Sequence, residues 1–498
     1  MLSEPLVFGQ EILTKPWSRN LDKNPLIAEI AQHYRGISVR NSITLLLVLV
    51  LAASSIVSVL PVNAEARTIV VPDDYATISL AIENALDGDT VFVKKGTYQE
   101  STLEIRKPLL LIGEDVDDTI LNLDPPLVEA MILRNRLMIL STAIAINANN
   151  VKLQGFTVNI PRDDYGYGGG LHANGDGIEV INNKIANNSI YLSGSSISVV
   201  NNSIASALEV VGSYQTIANN TIGDNLKIQG SFNQIFANSI NSSYYFSGIH
   251  LKGSNNLIIK NSFSEMTMES SNSNIIGDNV FVRLILEHFG SGCSDNTVIK
   301  NRVTGNGGIN DGILVMSGSN NTISANNIRN CEYGLSIGSD GMQTSVYLNN
   351  FFNNSGQHIT CYNLTENRFD NGIKGNYYDD YKGNDGNRDL VGDSPYTIQE
   401  IHWDEDLQRD VTVVYFQDRY PLMAPFDIDS VSIELPEWAS PLLSPSPEPQ
   451  TSEPFPTLFI ATASVVALVV VGTGLLVYFT KFKKTTANAE KTTQEGVA

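Results

Sequence analysis

The loop at residues 161–177 (PRDDYGYGGGLHANGDG) gathers acidic and imidazole side chains that could do acid/base chemistry. Those with that capacity are Asp163, Asp164, His172 and Asp176. Cleavage of a glycosidic bond needs two carboxyl groups at a fixed separation, so these four are the candidate catalytic residues. The run of glycines is equally typical of a flexible insertion. We therefore expect binding as the main role, with polysaccharide cleavage by a lyase or a glycoside hydrolase as the alternative.

A second group of oxygen-bearing side chains keeps an alternating spacing nearer the C-terminus. Asp385, Asn387, Asp389 and Asp393 offer carboxylate or amide oxygens at positions typical of a calcium loop. Leu390 stands where such loops place a glycine for a tight turn, and no glutamate closes the loop at its twelfth position. The residues predict either a calcium site, which is the one cofactor that the sequence suggests, or a polar turn without a metal.

A third set of residues forms a column when one residue is taken from each repeat. Its members are Glu179, Tyr191, Glu209, Lys227, His250, Thr267, Ile285, Leu314 and Ser336. Neighbours in such a column lie about 4.8 Å apart on adjacent strands. Within it Tyr191, Glu209, Lys227 and His250 combine an aromatic ring with charges of both signs, which predicts a sugar-binding surface. The alternative is a solvated face with Glu209 and Lys227 as a weak cross-strand pair.

These side chains are positioned by a repeat of about twenty residues. An asparagine, any residue, and then Ile, Val or Phe recur between residues 183 and 352. The phrases begin at Asn183, Asn202, Asn220, Asn238, Asn261, Asn279, Asn301, Asn326 and Asn350. Successive asparagines are 18 to 25 residues apart, which is typical of a solenoid whose coils bury their apolar sides by stacking. Asparagine tolerates the left-handed backbone of sharp corners, and its amide can bond the same amide one coil away.

Each asparagine phrase is followed by two apolar residues that are two positions apart, as in Ile190/Leu192 and Leu226/Ile228. On a strand this spacing puts both side chains on one face, here the interior. Clusters of Gly, Ser, Asn and Asp between the strands favour turns. Parallel strands joined by right-handed crossovers predict an all-β fold, a right-handed parallel β-helix. A disordered low-complexity tract would not keep this apolar register.

The charge and the cysteines exclude several classes of protein. The chain has 32 basic and 53 acidic residues, a formal charge of −21, whereas nucleic-acid binding requires a basic surface. The chain has three cysteines, Cys293, Cys331 and Cys361, and no two of them have CxxC spacing. Neither a zinc site nor a disulfide scaffold is therefore expected. A single bridge between Cys331 and Cys361 and three buried thiols both fit the sequence.

Two apolar segments predict where the protein resides. Residues 41–66 read as a signal peptide or an uncleaved signal anchor, after an N-terminal extension at 1–40. Residues 458–479 are an apolar run long enough to cross the ~30 Å hydrocarbon layer. Lysines in the tail at 480–498 place that end in the cytoplasm, and the Pro/Ser-rich residues 431–457 predict an extended stalk. We expect a single-pass protein of the cell membrane with an extracellular ectodomain.

Both ends of the predicted solenoid carry capping segments, which cover apolar surface and unpaired strand edges. Residues 68–100, which end in GDTVFVKKGTYQE, read as strand, helix and strand. The apolar side of this helix consists of Ile78, Ile82, Ala85 and Leu86. At the other end, residues 375–398 contain GNYYDDYKG and GDSPY, and residues 418–426 read DRYPLMAPF.

With these end motifs and its asparagine repeats, the chain from 67 to 427 resembles the NosD-like right-handed β-helix repeat proteins, a group related to carbohydrate-binding and sugar-hydrolase β-helix domains. The resemblance implies a pectin-lyase-like solenoid at residues 67–374 and a NosD-like cap at 375–430. Proteins that look like this, with a leader and a C-terminal membrane helix, are common on archaeal surfaces. The group takes its name from copper maturation, a role that a fold alone does not transfer. Met266 and Met268 are expected to point into the core and not to hold copper.

Together these features predict a membrane-anchored extracellular β-helix that binds carbohydrate or scaffolds proteins at the cell surface. The expected partners are the membrane and either a polysaccharide or envelope proteins, with no nucleic acid. A polysaccharide lyase or glycoside hydrolase is the alternative function, and a copper or metal-delivery accessory protein is the second alternative.

Overall fold

The computed structural model describes residues 66–439, apart from 126–128, 134–135, 141, 161–168, 242–247, 288–291, 307–310, 363–365 and 405–408. The predicted apolar signal segment, transmembrane helix and cytoplasmic tail lie outside the described residues, as do Asp163 and Asp164. Within the described ranges, no helix is both long and apolar enough to cross a membrane. The described residues from Thr68 onward belong to one compact unit, and the fold below is that of this unit.

Each coil of the chain contributes one short strand to each of three parallel sheets. In one coil Glu179–Ile181 belongs to sheet 1, Lys184–Ala186 to sheet 2 and Ser189–Ser193 to sheet 3. The following coil repeats this order from Ser198–Val200 onward. About twelve such coils stack on one another, so the parallel β-helix predicted from the repeat is confirmed.

Sheet 1 has thirteen strands in chain order. They are Thr68–Val71, Thr90–Val93, Leu110–Gly113, Lys152–Gln154, Glu179–Ile181, Ser198–Val200, Thr216–Ala218, Gln234–Phe236, Leu257–Ile259, Ile275–Gly277, Thr297–Ile299, Thr322–Ser324 and Ser345–Tyr347.

Sheet 2 consists of a seven-stranded and a five-stranded part, which single bridges through Ser262 join. The first part is Gly96–Glu100, Thr119–Leu123, Thr157–Asn159, Lys184–Ala186, Ser203–Ile204, Thr221–Ile222 and Ser239–Ile240. The second part is Val280–Phe281, Arg302–Thr304, Asn327–Arg329, Asn350–Phe352 and Tyr377–Tyr378.

Sheet 3 has fourteen strands, of which the last two pair antiparallel as a hairpin. They are Leu103–Ile105, Thr142–Ile146, Gly169–Asn174, Ser189–Ser193, Leu208–Val211, Leu226–Gln229, Gly248–Lys252, Glu265–Met268, Arg283–Leu286, Asp311–Ser319, Tyr333–Met342, Gln357–Cys361, Tyr396–Asp404 and Arg409–Asp418. A separate antiparallel hairpin pairs Glu129–Leu133 with Arg136–Leu140.

The interior is a set of apolar columns that run along the β-helix. Ile204, Ile222 and Ile240 pair in register on successive strands and are at most 3% exposed. The apolar pairs that follow the asparagine phrases, such as Ile190 and Leu192, are also buried. The predicted inward register is thus confirmed, and burial of these side chains is the main force that holds the coils together.

A ladder of asparagine side chains runs along the corner between sheets 1 and 2. Asn202 donates its amide and its backbone N–H to Asn220 Oδ1, and Asn220 donates in the same way to Asn238. Each amide also donates to a carbonyl of the preceding coil, as Asn220 does to Val199 at 2.8 Å. The members are Asn183, Asn202, Asn220, Asn238, Asn261, Asn279, Asn301, Asn326, Asn349 and Asn376.

The predicted stacking of Asn202, Asn220 and Asn238 is confirmed, whereas the assignment of Asn350 to the ladder was wrong. Asn349 takes the inward position, and Asn350 lies on sheet 2 with its amide bound to Asn327 Oδ1. Two adjacent asparagines precede Phe351, so the sequence alone did not decide between the two registers.

A second ladder, which the sequence analysis treated only as turn residues, runs along the corner before sheet 1. Gln215 donates its backbone N–H to Asn233, and the chain of such bonds continues from coil to coil. Its members are Gln215, Asn233, Asn256, Asn274, Asn296 and Asn321. The corners therefore satisfy buried backbone donors that no strand partner reaches.

The N-terminal end is closed by a seven-residue helix, Ile78–Asn84, that begins after the N-cap Thr77. Thr77 Oγ1 accepts from the Leu80 N–H, which satisfies one of the free donors of the first turn. Ile78, Ile82 and Ala85 are buried as predicted, whereas Leu86 is 54% exposed because the helix ends before it. The strand, helix and strand order of this segment is confirmed.

At the other end Asp418 terminates the first ladder. Its Oδ2 accepts from the backbone N–H and the amide of Asn376, at 2.6 and 3.3 Å, and from the Tyr378 hydroxyl at 3.2 Å. Its Oδ1 accepts from the Tyr420 N–H at 3.0 Å. The carboxyl group is fully buried, so the last ladder amide finds an acceptor without solvent.

The C-terminal strap, residues 426–439, turns back along the outside of the β-helix. Phe426 exchanges two hydrogen bonds with Asn350, and Trp438 packs edge-on against Phe232. Ile433 and Trp438 pack against Leu257 and Ile259 of sheet 1 in a small apolar cluster separate from the main core. Residues 431–439, which the sequence assigned to the stalk, therefore lie against the β-helix.

All three cysteines are free and buried. The bridge between Cys331 and Cys361 does not form, because Cys361 pairs in register with Ile337 and not with Cys331. Burial raises the pKa of Cys331 to about 11, so this thiol is unreactive at neutral pH.

Candidate functional site

The outer face of sheet 3 brings the predicted ligand-binding residues onto successive strands. Tyr191 pairs in register with Glu209, Glu209 with Lys227, and Lys227 with His250. The column then continues through Thr267, Ile285, Leu314 and Ser336. The alternation of buried and outward residues along short strands is what aligns these side chains.

Glu179 does not belong to this column, and the prediction that placed it there was wrong. Glu179 lies in sheet 1, where its carboxylate is 2.9 Å from Lys152 Nζ. The residue beside Tyr191 is His172, from the strand Gly169–Asn174. Strands of sheets 1 and 3 both alternate with period two, so the spacing of Ile178 and Val180 did not reveal the sheet to which they belong.

His172, Tyr191, Glu209, Lys227 and His250 together are called the sheet 3 strip. The rings of His172 and Tyr191 are 5.8 Å apart between centroids and tilted by 49°. Tyr191 is 38% exposed. His172 and Lys227 are also exposed, and Glu209 and His250 are half-buried. The strip therefore presents an aromatic surface at one end and polar side chains along the rest.

Glu209 and Lys227 lie side by side without forming an ion pair. Among the described residues, no ion pair within 4.0 Å involves either of them, although they are register partners. In contrast, Lys152 and Glu179 on sheet 1 are 2.9 Å apart, and so are Lys252 and Glu269. The predicted Glu209–Lys227 pair is therefore not formed, and both charged groups remain open to a ligand.

Both histidines of the strip are biased toward the neutral form. Partial burial lowers the pKa of His172. Partial burial also lowers the pKa of His250, the Lys227 ammonium lowers it further, and Asp224 acts in the opposite direction. A neutral imidazole has one donor and one acceptor, so it can either donate to or accept from a sugar hydroxyl. The strip can thus exchange hydrogen bonds in both directions with an uncharged ligand.

Beside the far end of the strip lies an ion cluster that the sequence analysis missed. Arg283 is 3.7 Å from the Glu265 carboxylate and 3.5 Å from that of Asp311, and all three side chains are between 14 and 18% exposed. Ser336 donates a short hydrogen bond to Asp311. Burial raises the pKa of Glu265, although Arg283 acts to lower it. Glu265 and Arg283 directly precede inward apolar pairs, a signal that could have identified them.

The loop proposed as catalytic does not bring its described members together. His172 joins the sheet 3 strip, whereas Asp176 lies in the following turn and accepts from the Ser195 N–H at 2.7 Å. Asp163 and Asp164 lie outside the described residues. The part of this loop that the structure describes therefore forms no carboxylate pair.

The predicted calcium loop is a network of turns in which the side chains accept backbone N–H groups. Asp385 accepts from Asp389 and Leu390, Asp389 accepts from Val391, and Asp393 accepts from Gly386. Asn387 donates its amide to Asp389 at 2.9 Å. Leu390 adopts a φ of 68°, the conformation that usually selects glycine. The oxygens are occupied by donors of the loop itself, which favours the alternative of a polar turn.

His358, Asp379 and Asp380 form a polar cluster on the last coils that the sequence analysis did not identify. His358 is 6% exposed, and its Nε2 lies 3.1 Å from Asp379 and 3.3 Å from Asp380. Asn354 Oδ1 accepts from the Cys331 N–H, which directs Asn354 Nδ2 to His358 Nδ1 at 3.1 Å. Nδ1 then holds a lone pair and Nε2 carries the proton.

This arrangement does not fit a copper centre. A metal on Nε2 of His358 would require the proton to move to Nδ1, where the Asn354 amide donates, whereas metal-ligating histidines donate from the second nitrogen. Among the described residues, His358, Asp379 and Asp380 are the only group of three or more His, Cys, Asp or Glu residues whose ligand atoms all lie within 4.8 Å of one another. Met266 and Met268 are fully buried in the core, as predicted.

Comparison with known proteins gives one sequence match and several matches in fold. Residues 227–383 match the family model described as "Periplasmic copper-binding protein (NosD)". No curated protein matches the chain in sequence.

Several solved structures match the chain in fold, among them a mannuronan epimerase, an alginate lyase, a glucanase and a tailspike protein. The A-module of mannuronan C-5 epimerase AlgE6 from Azotobacter vinelandii is 12% identical, with 60% of this chain and 94% of that chain covered and a TM-score of 0.40. A PL6 alginate lyase in complex with a trisaccharide is 12% identical, with 63% and 85% covered and a TM-score of 0.43. The catalytic domain of a GH87 alpha-1,3-glucanase in complex with nigerose is 13% identical, with 61% and 69% covered and a TM-score of 0.31. These weak likenesses concern the coil architecture alone.

The sequence match covers the coils from Lys227 to the polar cluster at Asp379 and Asp380. The resemblance to the NosD-like proteins is therefore confirmed for residues 227–383, which are a NosD-like segment of the parallel β-helix.

Proposed function

We propose that this protein binds glycan chains through the sheet 3 strip. The observation that carries the proposal is the register of Tyr191, Glu209, Lys227 and His250, which places an aromatic ring and two unpaired opposite charges in one line. Sugar rings present an apolar face and hydroxyl groups at the edge. An aromatic side chain with flanking charged donors and acceptors matches both features.

The rigidity of the coils supports binding without a large entropic cost. The backbones of the strip are held by ladder hydrogen bonds on both sides, and the inner neighbours of these residues are buried. A ligand would therefore order side chains alone, at roughly 0.5–1.5 kcal/mol for each side chain it immobilises. Adjacent strip residues are about 4.8 Å apart, so an extended sugar chain parallel to the β-helix axis would meet a new side chain at each coil.

The strip is tested by removing an aromatic and a histidine while leaving the interior intact. Tyr191→Ala combined with His250→Ala should weaken binding to glycans on an array by at least about tenfold, or ~1.4 kcal/mol. The melting temperature should hardly change, because Tyr191 is 38% exposed and leaves no cavity. Unchanged glycan binding by the double variant would refute the proposal.

Tyr214→Ala is the matched control for this experiment. Tyr214 is 57% exposed and lies in a turn outside the strip. Its removal should leave glycan binding as in the wild type. Equal losses in both variants would show that the measured binding is nonspecific adhesion to aromatic surface.

The second candidate function is polysaccharide cleavage, and the observation that favours it is the Glu265–Arg283–Asp311 cluster. Glu265 is one strand beyond His250, and burial raises its pKa toward the range of a general acid. Release of reducing ends or unsaturated products from a bound glycan, lost in Glu265→Gln, would establish this function. Binding without any product would leave the binding function alone.

We also propose that the β-helix is displayed outside the cell and is anchored by residues 458–479. The support is the apolar length of that segment and the lysines that follow it. Either a polysaccharide or an envelope protein could meet the strip in that location.

A further inference from the structure

The outer face of sheet 2 contains a cavity of about 410 Å³ on the side of the β-helix formed by its last coils. Its lining consists of Arg302, Thr304, Asn327, Arg329 and Phe352. Arg302 and Asn327 are neighbours in register on two strands, and Thr304, Arg329 and Phe352 are neighbours on three. The volume is within the roughly 300–1,000 Å³ that small-molecule sites span.

One of the two arginines is already neutralised by the protein. Arg302 Nη2 binds both oxygens of Asp429, at 2.7 and 2.9 Å, and Nη1 is 3.4 Å from Asp278. Asp429 belongs to the C-terminal strap, which crosses sheet 2 at this point. The contact shows that this face holds a carboxylate against a guanidinium with two hydrogen bonds.

The other arginine has no such partner. Arg329 is exposed, and its Nε donates to Thr304 Oγ1 at 3.2 Å. This bond orients the guanidinium and leaves its two terminal nitrogens directed away from Thr304. Among the described residues, no carboxylate lies within ion-pair distance of Arg329. Its fork-shaped set of donors fits one carboxylate.

We propose that this cavity binds the carboxylate of an acidic sugar through Arg329. Phe352 follows Arg329 in register and supplies an apolar surface for a sugar ring. Thr304 and Asn327 supply a hydroxyl and an amide for the ring hydroxyls. The inference goes beyond the sheet 3 strip, because the site is on another sheet and selects for charge.

The neutral polar lining favours a sugar over an acidic peptide as the ligand. A peptide with several carboxylates would need several free cations, whereas Arg302 is compensated by Asp429 and Asp278. The whole chain carries a formal charge of −21, which repels highly charged ligands at a distance. A single carboxylate on a ring avoids most of that repulsion.

The test measures binding of methyl galacturonoside, a single sugar ring with one carboxylate, to the purified full-length protein by calorimetry. The wild type should bind it at least tenfold more tightly than methyl galactoside, in which a primary alcohol replaces the carboxyl group. Arg329→Gln should abolish this preference, because a charge-assisted pair is replaced by a neutral contact. Arg329→Lys keeps the charge and loses the fork, so an intermediate affinity is expected.

Arg368→Gln is the matched control, because Arg368 is likewise exposed and lies at sheet 1. It should bind the galacturonate as the wild type does. Melting temperatures of both variants should equal that of the wild type, since neither residue is in the core. Binding that Arg329→Gln leaves unchanged would overturn the proposal, and so would tighter binding of an oligoglutamate peptide.

The strip variant separates this site from the proposed function. Tyr191→Ala with His250→Ala should retain galacturonate binding, because neither residue touches sheet 2. If the double variant lost this binding while Arg329→Gln kept it, the acidic sugar would occupy the strip. That result would overturn the cavity site and leave the proposed function intact.

Discussion

Asp418 offers a sharp test of how the asparagine ladder ends. Burial raises the pKa of this carboxyl to about 7, and hydrogen bonds from Asn376, Tyr420 and Tyr378 only partly oppose that effect. When Asp418 is protonated, its hydroxyl can donate to the Tyr378 oxygen, 3.2 Å away. The folded state therefore holds a proton at Asp418 up to a higher pH than the unfolded chain does.

The sign of the pH dependence follows from this difference. Between pH 4 and 7 the folded state binds the proton and the unfolded state releases it, so the free energy of unfolding falls as pH rises. A folded pKa of about 7 against the ordinary value of 3.8 corresponds to roughly 4 kcal/mol, at 1.36 kcal/mol for each pH unit. Above pH 7 this contribution is constant. Since Asp418 is fully buried, solvent screening does not reduce it much.

Asp418→Asn isolates the effect, because asparagine does not titrate. Urea unfolding of the wild type and the variant at several values between pH 4 and 8 gives two free-energy curves. Their difference cancels most contributions of the other acidic residues. The variant should gain about 4 kcal/mol relative to the wild type from pH 4 to 7.5. A difference that stays the same at every pH would refute the assignment of this proton to Asp418.

Asp370 is the natural control for this measurement. Burial acts to raise its pKa, but hydrogen bonds from Arg419 and Gly372 outweigh burial and lower it. The stability that Asp370 contributes is present above its unfolded pKa and is lost as pH falls further. The difference in the free energy of unfolding between Asp370→Asn and the wild type should therefore stay constant between pH 4.5 and 7.5.

Two further predictions concern the coils and the location of the protein. Asn220→Ala removes the acceptor of two Asn202 donors and the donor to Val199, so the free energy of unfolding in urea should fall by roughly 2–4 kcal/mol. The exposed control Asn241→Ala should lose less than about 0.5 kcal/mol. Equal losses in the two variants would contradict the ladder's role. Protease added to intact cells should release the β-helix by cleavage within residues 440–457, and full protection of the β-helix would contradict an extracellular location.

The features that the sequence predicted well are those that repeat in every coil. The buried register of Ile204, Ile222 and Ile240 follows from an apolar period that stacking must satisfy. The predicted register was wrong where the repeat was ambiguous, as at Asn349 and Asn350. The predicted sheet was wrong where an insertion preceded a coil, as at His172 and Glu179. In each case the predicted alternation of inward and outward residues was correct.

The candidate sites were harder to predict, because they depend on which coils become neighbours. Glu265 and Arg283 are in contact only because their strands pair in register. Arg302, which lines the cavity on sheet 2, is held by Asp429, a residue more than one hundred positions away in the chain. No local pattern encodes the return of the strap, since its contacts are single side chains on separate coils.

The geometry of the β-helix explains why ligand sites arise on its outer columns. Within the asparagine phrase, the first and third residues are inward, as Asn301 and Val303 are, and the middle residue, such as Arg302, points outward. Substitution at the middle position therefore leaves the ladder and the core unchanged. The same holds for the residue between two apolar neighbours on sheet 3, such as Tyr191. Binding surfaces on these columns can change coil by coil at little cost in stability, whereas each inward position is constrained by the coils above and below it.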